Sequence, residues 1–200
     1  MTDIGASGLL DLVSGRRGHF LLESGHHGEL WLDLDSLFAD PRRVDPFAGA
    51  LAALLARHRV EVVCGPLLGG AFLAQLVARA LDAQFCFTSR VMPPDPKGLW
   101  AARYPLPPAF SGRVRGRRVA IVDDVMSAGS ALRATFSELR EHEALVVAAG
   151  ALLVLGTAGA EYFDERGVPV AAVAREDHRL WLPASCPLCI AGMPLERVAQ

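Results

Sequence analysis

The chain has 200 residues, 52% of them hydrophobic and 21% charged, with a formal net charge of −2. That is enough apolar material for one packed domain, and the near-neutral balance supplies no general field for nucleic acid or an anionic membrane. No apolar run reaches the roughly 18 residues of a membrane span, MTDIGASGLLDLVSG lacks the basic flank of a signal peptide, and four cysteines do not make a disulfide framework, so a cytoplasmic protein is the expectation.

Residues 7–14 (SGLLDLVS) space their leucines along one helical face, and Gly15 is a natural stop. HFLLES (19–24) and ELWLDL (29–34) alternate as strands do, with Gly25 and Gly28 between them, which predicts a hairpin. A helix over 43–58 follows Asp40-Pro41, with Phe47, Leu51, Leu54 and Leu55 on its apolar face and Pro46 in its first turn. The pattern then changes. Strands at 60–65, 83–89, 117–124, 144–155 and 168–174 alternate with helices at 71–81, 131–142 and 160–166. The strands are continuously apolar, which predicts an α/β fold with a mostly parallel sheet covered on both faces. Residues 91–116 interrupt the order with six prolines and several basic residues. A loop of that length inside a compact domain is usually functional, and LWAARY is a candidate short strand within it. An irregular tail, 178–200, carries CPLC. The expected organisation is one domain, 1–200, with an N-terminal hood over 1–40, a lid loop over 90–116 and the tail.

The stretch VAIVDDVMSAGSAL, residues 119–132, carries the chemistry. In a parallel sheet, ligands bind at the carboxyl ends of strands, and Asp123 and Asp124 fall at such an end. One Asp before a helix is commonly an N-cap. Two adjacent carboxylates can grip neighbouring hydroxyls of a sugar and attract a hydrated Mg2+. The residues that follow, Val125, Met126, Ser127, Ala128, Gly129, Ser130 and Ala131, are mostly small and run into a helix N-terminus, which suits an anion. Ribose hydroxyls on one side and a phosphate on the other describe a ribose 5-phosphate group.

IVDDVMSAGSA closely resembles the phosphoribosyl-diphosphate (PRPP) motif of type I phosphoribosyltransferases. Within that family the orotate enzymes are nearest: HFLLESGHHGELWLDLDSLFADP resembles their opening hairpin and GPLLGGAFLA (65–74) their diphosphate loop. The resemblance implies PRPP-dependent transfer of ribose 5-phosphate to a nucleobase, orotate first, with release of diphosphate. Asp123 and Asp124 would act at the ribose, Ser127 to Ser130 at the 5-phosphate, and Gly65, Gly69 and Gly70 at the diphosphate. Arg90 would contact PRPP, and Ser24, His26 and Ser127 the base. Mg2+ would bridge diphosphate and sugar near the acids through water, with no direct protein ligand. A homodimer sharing its lids is implied, with neither nucleic acid nor membrane as partner. The alternatives are transfer to another base, or a PRPP- or nucleotide-sensing module without turnover.

The chain departs from the orotate pattern by losing positive charge. Glu23 stands where those enzymes usually have Lys, Gly28-Glu29 where they have Ser-Pro, and Gly69 where many have Lys. Between Arg90 and Pro107 the lid offers only Lys97 and Arg103, and residues 141–165 contain no Arg to bind an orotate carboxylate. Five other features stand outside the motif. Cys186 and Cys189 have the spacing of half a zinc site; completing it needs a second chain or a histidine such as His178, and a local folding or redox role is the rival. Cys64 and Cys86 read as core residues. His26 and His27 sit at a hairpin turn near the expected base pocket, with solvated turn residues as the plainer reading. Trp100 and Tyr104 pack the loop or close over a ligand. Arg113, Arg115, Arg117 and Arg118 read as a solvated strand entry, with a phosphate contact as the alternative.

Overall fold

The computed structural model describes residues 14–33, 35–93 and 99–197. The N-terminal hairpin pairs β1 (Ser14–Leu21) antiparallel with β2 (His27–Asp33), with a bulge between Arg17 and Phe20. Helix α1 (Pro41–Leu55) follows. The chain then runs β3 (Val62–Pro66), α2 (Gly69–Leu81), β4 (Gln84–Thr88), α3 (Pro108–Val114), β5 (Arg118–Met126), α4 (Ser130–Glu141), β6 (Leu145–Leu155), α5 (Ala158–Asp164) and β7 (Val170–Glu176). These five strands form an all-parallel sheet in the order β4-β3-β5-β6-β7.

Side chains alternate across this sheet, so each strand feeds two cores. Val63, Ala120 and Val122 pack with Leu51 and Leu55 of α1 and Leu73 and Val77 of α2. Val62, Cys64, Val119 and Ile121 pack on the other face with Leu132 and Phe136 of α4 and Phe163 of α5. Burial on both faces is why these strands are continuously apolar. Cys64 and Cys86 are fully buried neighbours on β3 and β4, as core residues should be. Among the described residues no helix is long and apolar enough to cross a membrane.

Several local expectations change. The helix expected over 7–14 lies outside the described residues except for Ser14, which opens β1, so Gly15 sits in a strand. Helix α1 starts earlier than expected because Asp40 caps it, accepting the Arg42 N–H at 3.1 Å. Pro46 therefore falls in the second turn, not the first, and the Arg42 carbonyl loses its i+4 donor. Helix α3 was hidden by its prolines: Pro108 occupies a first-turn position, where a missing N–H costs nothing. Buried Val114, and Phe110 edge-on to Phe87 at 5.3 Å, anchor it. Within LWAARY only Arg103 pairs, as a single bridge to Val91.

The tail is not irregular. It forms β8 (Leu180–Trp181), a one-turn helix α6 (Pro187–Ile190) and β9 (Glu196–Arg197). These two-residue strands flank the hairpin in a second sheet, β8-β2-β1-β9. The second sheet thus joins the hairpin to Leu180–Trp181 and Glu196–Arg197.

Candidate active site

Strand β5 runs two residues further than its apolar core suggests. Asp123 is in register with Ala151 of β6, and Val125 and Met126 still pair with Leu153 and Val154. The two acids are therefore held inside the ladder, at its carboxyl-terminal end, not beyond it. Both are half-buried. Asp123 Oδ1 accepts the Asp124 N–H at 3.1 Å, and Asp124 Oδ1 accepts the Val125 N–H at 2.7 Å. Burial, and then the Asp124 charge beside it, push the Asp123 carboxyl well above the usual carboxylate range. A cation or a pair of hydroxyl donors placed there would relieve that repulsion.

The turn from β3 to α2 presses against the same acids. A Cβ on Gly69 would collide with the Asp124 carboxylate, and one on Gly70 would lie 2.6 Å from Asp123 Oδ1. A Cβ on Gly65 would strike the Gly70 carbonyl. Only glycines permit this closeness. The Leu67–Leu68 peptide within the turn is cis.

The small loop after β5 is pinned from below. Met126 and Ala128 are buried, while Val125, Ser127, Gly129, Ser130 and Ala131 are half-buried. Gly129 adopts φ +76°, a left-handed conformation, and α4 begins at Ser130. The Ser127 carbonyl accepts the Gly159 N–H at 3.1 Å. Its hydroxyl oxygen is buried and has no hydrogen-bond partner among the described residues. A buried hydroxyl left in that state is costly unless a ligand completes it. Together with the N-terminus of the long helix α4, it makes a cradle suited to a phosphate.

The hairpin turn reaches the same end of the sheet through Glu23. Its Oε1 accepts the Tyr104 hydroxyl at 2.8 Å and the Ser130 hydroxyl at 3.3 Å, and its Oε2 lies 3.5 Å from Arg90 Nε. Burial, and then the Glu23 charge, push the Tyr104 phenol above its ordinary range. Arg90 is therefore turned toward a carboxylate of its own chain. The Ser24 carbonyl accepts the Trp100 N–H at 3.3 Å, and the His26 ring stands edge-on to Trp100 at 5.4 Å. Ser24 Oγ and His26 Nδ1 are 3.1 Å apart.

Arg133, one turn into α4, faces the same space. Its guanidinium carbon is 4.3 Å from the ring centroids of both Trp100 and Tyr162, and Nη2 donates to the Ala158 carbonyl at 2.7 Å. Its Nε is buried without a partner among the described residues. Glu23, Trp100, Ser130, Arg133 and Tyr162 line a cleft of about 300 Å³, the lower end of small-ligand sites.

The structure thus gathers Asp123, Asp124, the glycines of the β3–α2 turn and the 125–131 loop at one end of the sheet. It sets Ser24 and His26 beside them through Trp100. Lys97 lies outside the described residues. Sequence reasoning assigned no site role to Arg133, marked Glu23 only as standing in place of a lysine, and read Tyr104 as packing the loop or closing over a ligand. Arg133 had a detectable signal, three residues after Ser130 and so on the same helix face. Tyr104 is buried and bonded to Glu23. His27 is not a solvated turn residue; it is buried, at 5% exposure.

Comparison with known proteins agrees with this geometry. The sequence matches the phosphoribosyl transferase domain over residues 34–181. The orotate phosphoribosyltransferase of Thermotoga maritima is 32% identical over 180 residues, 90% of this chain and 89% of that protein. The crystal structure of orotate phosphoribosyltransferase from Aeropyrum pernix superposes with a TM-score of 0.62 at 23% identity, over 85% of this chain and 93% of that one. An adenine phosphoribosyltransferase from Thermoanaerobacter pseudethanolicus superposes with a TM-score of 0.66 at 16% identity, over 85% and 99%. At those identities the structures speak for the fold alone. The family match spans most of the chain and includes the acid pair and its loop, so this chain belongs to the phosphoribosyl transferase domain family.

Proposed function

We propose that the protein transfers ribose 5-phosphate from PRPP to a nucleobase, orotate in the first instance, and releases diphosphate. The observation that carries this is the pair of carboxylates on β5 held against the glycines of the β3–α2 turn. In this reading Asp123 and Asp124 grip the ribose hydroxyls, and Ser127 to Ser130 hold the 5-phosphate. Gly65, Gly69 and Gly70 let the turn lie against the acids and present bare backbone to the diphosphate. No protein nucleophile is required. The bond from C1 of the ribose to diphosphate breaks, and a nitrogen of the base takes its place at C1. The chain's part is to position both reactants and stabilise charge. The hood and the 90–116 segment exclude water from the cationic sugar.

The acids also fit Mg2+. They are hard oxygen donors whose mutual repulsion a divalent ion would relieve. When bound near them, Mg2+ would neutralise charge on the leaving diphosphate. A homodimer sharing the 90–116 segment is part of the same proposal.

Orotate is favoured by the relatives' names and by Arg133, which offers the cleft the cation missing from residues 141–165. Glu23 favours a second reading. A carboxylate on the hood would repel orotate but accept N–H groups from a base without a carboxylate. Incubation with PRPP, Mg2+ and each of a panel of bases separates the two. Orotidine 5-phosphate is the expected product. A different nucleotide would support the Glu23 reading, and binding of PRPP without consumption on any base would support a sensing module and refute turnover.

A further inference from the structure

Away from the acids, four ligand-type side chains converge under the hood. His19 Nε2, His27 Nδ1, Cys186 Sγ and Cys189 Sγ all lie within 4.8 Å of one another. The two ring nitrogens are 3.0 Å apart. Cys186 Sγ is 3.4 Å and Cys189 Sγ 3.7 Å from His19 Nε2, and Cys189 Sγ is 3.4 Å from His27 Nδ1. Zinc takes nitrogen at about 2.0–2.1 Å and sulfur at about 2.3 Å, so a tetrahedral site has edges of roughly 3.3–3.8 Å. Those four separations match those edges to within a few tenths of an ångström, and the remaining two lie within 4.8 Å.

Hydrogen bonding alone does not account for the cluster. His19 Nδ1 lies 2.9 Å from the Met193 carbonyl, which can only accept. In the neutral ring that leaves Nε2 as a lone pair. This lone pair meets a second imidazole nitrogen and two sulfurs, yet it can accept only one proton. A cation at the centre satisfies all four groups at once. The Met193 carbonyl then does what such partners do at zinc sites, fixing tautomer and ring orientation.

The surroundings agree. Hydrophobic packing does little to hold the tail: Leu182, Ile190, Met193 and Leu195 are 38–82% exposed. Its strands β8 and β9 have two residues each. Cys186 is nevertheless 1% exposed, directed into the cluster. Two thiolates and two imidazoles select zinc over magnesium. All four positions are filled by protein, which is the pattern of a structural site with no open place for substrate.

We propose that His19, His27, Cys186 and Cys189 bind one Zn2+ that ties the C-terminal tail to the N-terminal hairpin. The partners of the CPLC pair are thus these two histidines of the same chain, not His178 and not a second chain. His27 directly follows the turn that presents Glu23, Ser24 and His26, so the zinc also fixes the wall of the cleft.

The full-length protein, purified in reductant without chelator, tests this by metal analysis. One zinc per chain is expected. Replacement by Co2+ should give the intense visible bands of a tetrahedral thiolate site. Cys189→Ser and His27→Gln should each lose the zinc, while His178→Gln keeps it. If those variants fold poorly, the wild-type chain decides: stripping with a strong chelator should lower Tm, and one equivalent of Zn2+ should restore it where Mg2+ does not. Metal-free protein that does not take up Zn2+, zinc retained in Cys189→Ser and His27→Gln, or a Cys186–Cys189 disulfide in the purified chain would each overturn the assignment. The Zn2+ readouts do not depend on turnover, so they stand or fall apart from the proposed transferase activity.

Discussion

The proposed PRPP side is drawn from two short stretches, 65–70 and 123–131, each fixed by one strand and the helix after it. The proposed base side is drawn from the hairpin turn, Arg90, residues 99–104 and one face of α4, which meet through Glu23, Trp100 and Arg133. The proposed PRPP side sits at the carboxyl ends of parallel-sheet strands, where small side chains and backbone do the work. The base side depends on long, charged side chains reaching between elements. A chain can therefore keep its sugar-phosphate site while its base preference drifts, since substitutions on the hood leave the sheet untouched.

The sharpest way to break this contrast is at Gly65. Gly65→Ala drives a methyl group into the Gly70 carbonyl and moves the diphosphate turn off the acids. A displacement of that kind should cost about 100-fold in kcat/KM, whichever base is offered. A loss confined to one base would erase the distinction between the two sides.

The base side is sharpened by Arg133→Met and Glu23→Gln. If Arg133 meets an anionic base, its loss forfeits a charge-assisted hydrogen bond of roughly 1.5–3 kcal/mol, or about tenfold to 100-fold in KM for orotate, with KM for PRPP little changed. Glu23→Gln should act in the opposite direction on orotate, because it removes a like charge. Steady-state kinetics with each substrate varied in turn reads both, and an equal rise in both KM values on loss of Arg133 would place it outside the base pocket.

The smallest effect is on stability and runs against function. The Asp123 carboxyl is raised, chiefly by burial and then by Asp124. The folded chain thus holds that proton more tightly than the unfolded chain. Its contribution favours folding as pH falls through the raised value toward the ordinary carboxylate range, and disfavours folding above it. Asp123→Asn should therefore raise Tm at neutral pH by a few degrees, about 2–4 °C for each kcal/mol relieved. It should also flatten the acid-side gain seen in the wild-type chain without ligand. Thermal melts across pH check this, and a lower Tm for the variant at neutral pH would contradict it.

How far the sequence spoke follows the same division. Strands buried on both faces announce themselves as apolar runs, so the parallel sheet and its order of elements were legible. So was the place of the acid pair at a strand end, because strand, acids and small loop are consecutive in the chain. Helix α3 was not, since Pro107-Pro108 reads as a break until Phe110 and Val114 are seen to pack. The contact between Glu23 and Tyr104 was invisible because it spans 81 residues. The CPLC pair was visible as half a site, but its other half sits on a hairpin more than 150 residues away.

The central claim is that the β5 acids and the glycine turn hold PRPP. Calorimetric titration of PRPP with Mg2+ into the wild-type chain and into Asp123→Asn/Asp124→Asn tests it most directly. The account predicts saturable binding to the wild-type chain and none detectable to the double variant, whose thermal melt should confirm that it is folded. Equal affinity in a folded double variant would contradict it.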